Sequence, residues 1–239
     1  FRRVLFRSVK GIEKFYTPDG YKVDCVVIES DGLNELDESV KPRARTEDLT
    51  PEDIVDIVRE AGIAGMGGAV YPFHSKLVIV HESIVDTIIL NGAECEPYLT
   101  ADHRMMLEYP EKVINGLEII MKYLGLGNGY IAVEDNKADA INKLKETLKD
   151  KNEIQVASLQ TKFPQGDSYR IVNALTGRIV PFGGRTKDVQ SFVTNVSTSA
   201  ALADAVLDGK PQYERVVTIT GKGVKEPKNL LVKIGTSIG

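Results

Sequence analysis

The feature that most constrains this chain is an alternation of strand-like and helix-like segments through its middle. Residues 86–90 (DTIIL) and 130–134 (YIAVE) are short, mostly apolar runs, the pattern of strands covered on both faces. Between them, residues 110–124 place Val113, Ile114, Leu117, Ile120, Met121 and Leu124 on one helical face, and Gly125 stops the run. Residues 137–148 read as another helix, 154–159 as a third strand and 197–207 as a further helix. An earlier helix is announced by its chemistry: Thr50 as N-cap, Pro51 at the first helical position, and Glu52 and Asp53 in the first turn. Ile54, Ile57, Val58 and Ala61 follow at helical spacing, and Gly62 ends it. Strands alternating with helices predict an α/β domain with a mainly parallel sheet over roughly residues 45–208.

The flanks read differently. Residues 9–30 carry strand signals around a Thr17-Pro18-Asp19-Gly20 turn, with a β-branched run at 23–28. Residues 31–49 are polar and read as a linker. After Gly209-Lys210-Pro211 the pattern turns β-rich again at 215–220 and 230–234. The expected architecture is an α/β domain at 41–208 flanked by partial β-rich domains at 9–40 and 209–239. The first eight residues (FRRVLFRS) are basic and aperiodic, and are expected to be a non-native tail. The chain is expected to be a fragment of something longer.

Charge and cysteine content then narrow the chemistry. Thirty basic residues face 34 acidic ones, a net of −4, without the basic surplus of a phosphate-backbone binder, so no nucleic-acid partner is expected. No apolar run approaches the ~18 residues of a membrane-spanning helix. Two cysteines, Cys25 and Cys95, exclude a disulfide framework or a four-cysteine metal site built from this chain alone. A cytoplasmic location is expected, with attachment to the cytoplasmic face of a membrane left open.

Four stretches carry chemistry. In Gly62-Ile-Ala-Gly65-Met-Gly67-Gly68-Ala69, close glycines let backbone N–H groups converge on an anionic or flat ligand, with Lys76 a few residues on; a flexible helix–strand connector is the plain alternative. It lacks the Gly-Lys-Ser/Thr of a Walker A loop, and it follows a helix, unlike a dinucleotide fingerprint. Asn91-Gly-Ala-Glu94-Cys95-Glu96-Pro97 begins where a strand ends, and the carboxyl edge of a parallel sheet is where ligands bind. In its continuation to Arg104, Asp102 has Arg104 as a candidate partner, and Cys95 reads equally as a small buried hydrophobe. Phe163-Pro164-Gln165-Gly166-Asp167-Ser168-Tyr169 and Thr194-Asn195-Val-Ser197-Thr198 are the third and fourth, the last with helix capping by Ser197 or Thr198 as its plain reading. His74, His81 and His103 share no metal-ligand spacing, so no metal site is expected.

Taken in order, GMGGAVYPFHSKL, NGAECEPYLTADHR, FPQGDSYRIVNALTGRIVP and TNVSTSAALADAV resemble the flavin-binding core of the C-subunit family of the Rnf electron-transport complex, itself related to the NADH-oxidising flavoprotein subunit of complex I. The resemblance covers about residues 45–239. Residues 9–40 resemble the end of the family's barrel-sandwich domain, and 210–239 the opening of its soluble-ligand-binding β-grasp (SLBB) domain. It implies a flavin-binding domain in which FMN lies against Gly65, Gly67, Gly68 and Ala69, with Lys76 near the phosphate. Asn91 and Glu94 would lie along the isoalloxazine, Gly166 and Asp167 by the ribityl chain or ring, and Thr194, Asn195 and Thr198 at the phosphate end. Tyr71 and Glu96 match positions that meet the nicotinamide nucleotide. No side chain is implied as catalytic, because the flavin carries the redox chemistry. The implied partners are NADH and a redox protein, either other Rnf-type subunits or a proline reductase; an iron–sulfur cluster is implied only if another part of a longer chain supplies it.

Two departures separate the chain from the family pattern: Ser168 stands where an acidic residue is usual, and Gly183-Gly-Arg-Thr-Lys-Asp188-Val-Gln190 replaces a proline-richer stretch. They resemble the proline reductase-associated electron-transfer (PrdC) branch. Two alternatives stay open: a flavoprotein fed by another donor such as ferredoxin, and a non-catalytic assembly subunit that kept the fold.

Overall fold

The computed structural model describes residues 8–17, 20–33 and 35–237. Residues 1–7 of the tail expected at 1–8, the Pro18-Asp19 centre of the first turn, Asn34 and the last two residues lie outside the described residues, while Ser8 of that tail opens a strand. The chain divides into two units, Phe1–Lys41 and Pro42–Gly239.

In the first unit, β1 (Ser8–Tyr16) and β2 (Lys22–Glu29) form an antiparallel pair, with Tyr16 opposite Lys22 and a register shift between Val9 and Gly11.

The second unit opens with α1 (Pro51–Glu60), which starts as the sequence dictates. The Thr50 hydroxyl accepts from the Asp53 amide at 3.2 Å, and the Asp53 carboxylate accepts from the Thr50 amide at 2.9 Å, a reciprocal cap. Then follow α2 (Phe73–His81), β3 (Thr87–Gly92), α3 (Ala101–Glu108), α4 (Pro110–Leu124), β4 (Gly129–Glu134), α5 (Ala138–Thr147), β5 (Ile154–Leu159), α6 (Ser168–Thr176), β6 (Ser191–Asn195) and α7 (Val196–Asp208). A final antiparallel pair, β7 (Glu214–Ile219) and β8 (Lys228–Lys233), packs against α3.

The four central strands form an all-parallel sheet in the order β5-β4-β3-β6. Both faces are covered, which explains why the strands read as unbroken apolar runs rather than alternating ones. Side-chain alternation divides the core: Ile88, Leu90, Ile131, Val133 and Phe192 join a large cluster with α1, α2, α4, α5 and α7. Ile89, Ala132 and Val193 point the other way, into a small cluster covered by α6 through Ile171 and Val172.

Several expectations are corrected. The strand expected at 86–90 runs from Thr87 to Gly92, so Asn91 is its penultimate residue rather than the start of a loop. The glycine stretch joins α1 to a helix, α2, not to a strand. Strand β6 and helices α3 and α6, absent from the periodicity reading, are present. The cap of α7 is Asn195, whose side chain accepts from the Ser197 and Thr198 amides, rather than Ser197 or Thr198.

Helices α4 and α7 meet at backbone distance. A Cβ at Gly116 would overlap the carbonyl of Ser199, and the Ser199 hydroxyl donates to the Val113 carbonyl at 3.0 Å. Helix propensity alone would make Gly116→Ala stabilising by about 1 kcal/mol. Overlap with backbone outweighs it, so the substitution is expected to destabilise by roughly 3 kcal/mol. An unchanged or raised midpoint in urea unfolding would overturn this.

Candidate functional site at the carboxyl edge of the parallel sheet

Parallel strands end on one side, and this sheet gathers its polar residues there. Register places Asn91 of β3 beside Asn195 of β6 and beside Ala132 of β4, with Glu134 at the end of β4. All four chemical stretches, apart from the solvent-facing Tyr71 and Glu96 side chains, are tied into one hydrogen-bonded assembly around this edge.

The glycine loop is pinched at its base by Phe73 N–H donating to Ile63 O and Gly65 N–H donating to Tyr71 O, both at 2.9 Å. Its start is anchored to α7, because the Met66 amide donates to the Thr198 hydroxyl at 2.9 Å. Beyond that anchor the loop is open. Gly67, Gly68 and Ala69 are exposed, a Cβ at Gly68 would meet nothing within 4 Å, and one at Gly67 would approach only Asn195 Cβ at 3.9 Å. Among the described residues, the Gly67, Gly68 and Ala69 amides donate to no protein acceptor.

Lys76, on α2, runs inward to the Val193 carbonyl and lies over the Phe192 ring, 5.0 Å from its centroid. Burial lowers its ammonium to about 8. With one carbonyl accepting, the ammonium keeps donor capacity alongside β6.

Asn91 donates to Gly166 O at 2.8 Å and accepts from the Ala93 amide at 3.1 Å, so the second and third stretches meet through it. Asp167 caps α6, accepting from the Tyr169 and Arg170 amides. Glu94, with φ of 48°, turns its carboxylate onto the first turn of α3, accepting from the Asp102 and His103 amides at 2.8 and 3.0 Å. Asp102 accepts from Ser197 Oγ at 2.5 Å and Asn195 Nδ2 at 2.6 Å. The Asp102–Arg104 pairing is therefore corrected: Arg104 pairs with Glu108 along α3. Thr194 is buried beneath these groups.

Two residues that motif reading passes over hold the assembly. Lys137, 6% exposed, donates to Ala93 O at 2.7 Å and Asn136 Oδ1 at 3.1 Å and pairs with Glu134, 1% exposed, at 3.3 Å. Glu134 in turn accepts from the Lys162 amide at 3.2 Å, tying in the connector to α6. The available signal is position: both charges lie in the VEDNK run at the carboxyl end of a predicted strand. An open cavity of about 350 Å³ lies here, lined by Glu94, Cys95, Glu96, Glu134, Lys137 and Phe163 among others.

Burial, with the nearby Asp102 charge second, pushes the Glu94 carboxyl up to about 7, against the two amides that favour its anion. Burial likewise raises Asp102, opposed by its bonds from Ser197 and Asn195, and raises the Cys95 thiol. Among the described residues, no group of three or more metal-ligating side chains comes together. No helix of the described residues is long and apolar enough to cross a membrane.

A flat ligand with an anionic tail fits what this edge leaves free: unspent consecutive amides at an open glycine loop, a cation alongside β6, and polar strand termini next to them. The chain belongs to the Nuo51 FMN-binding domain family, whose model matches residues 58–204, more than half its length. The curated relatives it is similar to include C subunits of ion-translocating oxidoreductase complexes. It is 48% identical over 230 residues to the C subunit of the proton-translocating ferredoxin:NAD(+) oxidoreductase complex of Clostridium ljungdahlii, covering 96% of this chain and 50% of that one. It is 44% identical over 228 residues to the C subunit of the Na(+)-translocating ferredoxin:NAD(+) oxidoreductase complex of Acetobacterium woodii, covering 95% and 52%. The chain thus spans about half the length of these curated relatives. Among solved structures, an NAD+-reducing [NiFe]-hydrogenase shares the fold, with a TM-score of 0.65 at 19% identity over 78% of this chain and 37% of that one.

The raised Glu94 carboxyl has a signed consequence. Its folded value lies above the ordinary 4.5, so the folded state holds the extra proton between about 4.5 and 7, and stability falls as pH rises through that window. Glu94→Gln is therefore expected to raise the melting temperature at pH 8 more than at pH 5. An equal shift at both values would show that the carboxyl is not raised.

Proposed function

We propose that this chain is the flavin-binding part of an electron-transfer subunit that exchanges hydride between NAD(H) and bound FMN and passes electrons to a protein partner. The observation that carries the reading is the open glycine loop, whose Gly67, Gly68 and Ala69 amides are unspent beside Asn195 and Thr198 at the sheet's carboxyl edge. FMN would supply two-electron exchange with a nicotinamide and one-electron exchange with a metal centre or protein.

The residues of the chain have separable tasks in this reading. Gly65, Gly67, Gly68 and Ala69 admit a flat ring and offer amides. Lys76 neutralises the phosphate, and Thr194, Asn195 and Thr198 border it. Asn91, Glu94, Gly166 and Asp167 shape the ring and ribityl side, mostly through backbone that their side chains hold in place. The Asn91 bond to Gly166 O and the Lys137 bond to Ala93 O fix that backbone before any ligand arrives, which is pre-organisation rather than induced fit. Tyr71, 46% exposed, and the exposed Glu96 are free to meet a nicotinamide nucleotide by stacking and hydrogen bonding.

The relatives' names supply the partner chemistry, pairing ferredoxin with NAD(+) in an ion-translocating complex. By that similarity the acceptor or donor here is a neighbouring subunit at a membrane's cytoplasmic face, with β7 and β8 opening the SLBB domain and residues 9–40 ending a barrel-sandwich domain. A proline reductase is the other acceptor in this reading; Ser168, at the first position of α6 beside the Asp167 cap, favours the second reading, in which a donor other than NADH, such as ferredoxin, provides the electrons.

The deciding experiment is an anaerobic visible spectrum of the protein with FMN, before and after NADH. Bound flavin that bleaches supports the reading; flavin that binds and stays oxidised removes NADH as donor, and no binding removes the flavin. A pH series tests Lys76 separately. Because burial sets its ammonium at about 8, FMN affinity is expected to fall as pH rises through that value, while riboflavin, lacking the phosphate, shows no such fall. Lys76→Met should weaken FMN binding about tenfold and abolish the pH dependence; equal pH profiles for FMN and riboflavin would take Lys76 out of the phosphate site.

A further inference from the structure

A second cavity, about 320 Å³, lies between α3, α7 and the β7–β8 pair. It adjoins the candidate flavin site through Met66 of the glycine loop, Ser197 of α7 and Arg104 of α3. Its apolar lining includes Met105, Ala200, Ala201 and the largely exposed Leu231. Its charged lining does not balance. Arg104 pairs with Glu108, Lys112 with Asp204 at 2.6 Å, and Lys210 with Glu214 at 2.6 Å. Three acids thus answer three of the four cations, and Arg215 is the remainder.

Arg215 is held but not satisfied. Its Nη2 donates to Met66 O at 3.3 Å, and its Nε is buried without a hydrogen-bond partner. The buried Asp102 carboxyl, which feels the Arg215 charge, already has each oxygen engaged, one by Ser197 and one by Asn195. A guanidinium presents five donors in a fixed fork; Nε is shielded, and because Arg215 lines the cavity an acceptor there meets the Nη end of that fork.

We propose that this cavity is a ligand site distinct from the flavin site, and that it takes a small amphipathic anion. The carboxylate, sulfonate or phosphate head of such a molecule pairs with Arg215, and its apolar body lies on Met105, Ala201 and Leu231. The volume sits at the lower end of the range for small-molecule sites. Arg215, the lining cation with no lining acid paired to it, sets the preference for an anion. The link from Arg215 to the Met66 carbonyl gives an occupant purchase on the glycine loop, since Met66 is also where that loop is bonded to Thr198.

The test uses 1-anilinonaphthalene-8-sulfonate, a monoanion with an apolar body, titrated by fluorescence into the FMN-saturated protein. Saturable binding is expected, weakened at least tenfold by Arg215→Met, which removes the charge, and by Ala201→Leu, which fills the apolar side. Both variants are first checked for unchanged unfolding temperature, and Arg215→Lys is added to retain part of the affinity. Probe bound on other exposed apolar surface would be indifferent to all three substitutions. Absence of saturable binding, wild-type affinity in either Arg215→Met or Ala201→Leu, or binding seen only in FMN-free protein and lost on FMN saturation would each overturn the assignment.

Discussion

The pairing of β3 with β6 on one side and β4 on the other is the constraint from which the rest of the molecule follows. Three parallel strands end side by side, so Asn91, Asn195 and Glu134 are brought to one edge by register before any loop is placed. Each then does loop-building work. Asn91 fixes the connector before α6, Asn195 caps α7 and reaches Asp102, and Glu134 holds Lys137 and the Lys162 amide. Had any of these strands been antiparallel, its terminal polar residue would lie at the opposite end of the sheet.

Electrostatics at this edge are unusually concentrated for a surface with so many amides. Glu94, Asp102, Glu134, Lys137 and Lys76 are all partly or wholly buried, and none is left as a bare charge. Helix termini absorb the acids: α3 receives Glu94, while Asn195 and Ser197 at the start of α7 receive Asp102. Carbonyls absorb the lysines. Removing one member of the buried Lys137–Glu134 pair strands the other charge in a low-dielectric setting.

Much of this is legible in the sequence. The Thr50-Pro51 helix start, the face of α4 with its Gly125 stop, and the strands at 130–134 and 154–159 all follow from periodicity and capping chemistry, and the four chemical stretches do converge. What periodicity misses has physical reasons. Strand β6 is only five residues, two of them hydroxylic, and its burial is decided by β3 alongside it. Helix α2 has no capping side chain to announce it, and the first turn of α3 is completed by Glu94 from outside the helix. Lys137 sits in a polar run that normally faces water; only the Ala93 carbonyl, 44 residues away, makes its burial worthwhile. The role of Glu94 is subtler, because its carboxylate is spent on holding the first turn of α3.

The pinched glycine loop has a consequence for how such a protein can change over generations. Two backbone bonds close its base, and neither depends on which side chains occupy the tip. Substitutions between residues 68 and 71 therefore alter what the loop touches without altering where α1 and α2 sit. What the tip touches is free to drift there at little cost in foldedness, while the anchor on Thr198 keeps successive versions aimed at the same place. A lineage built on such a loop can change its contacts by small steps and keep its frame.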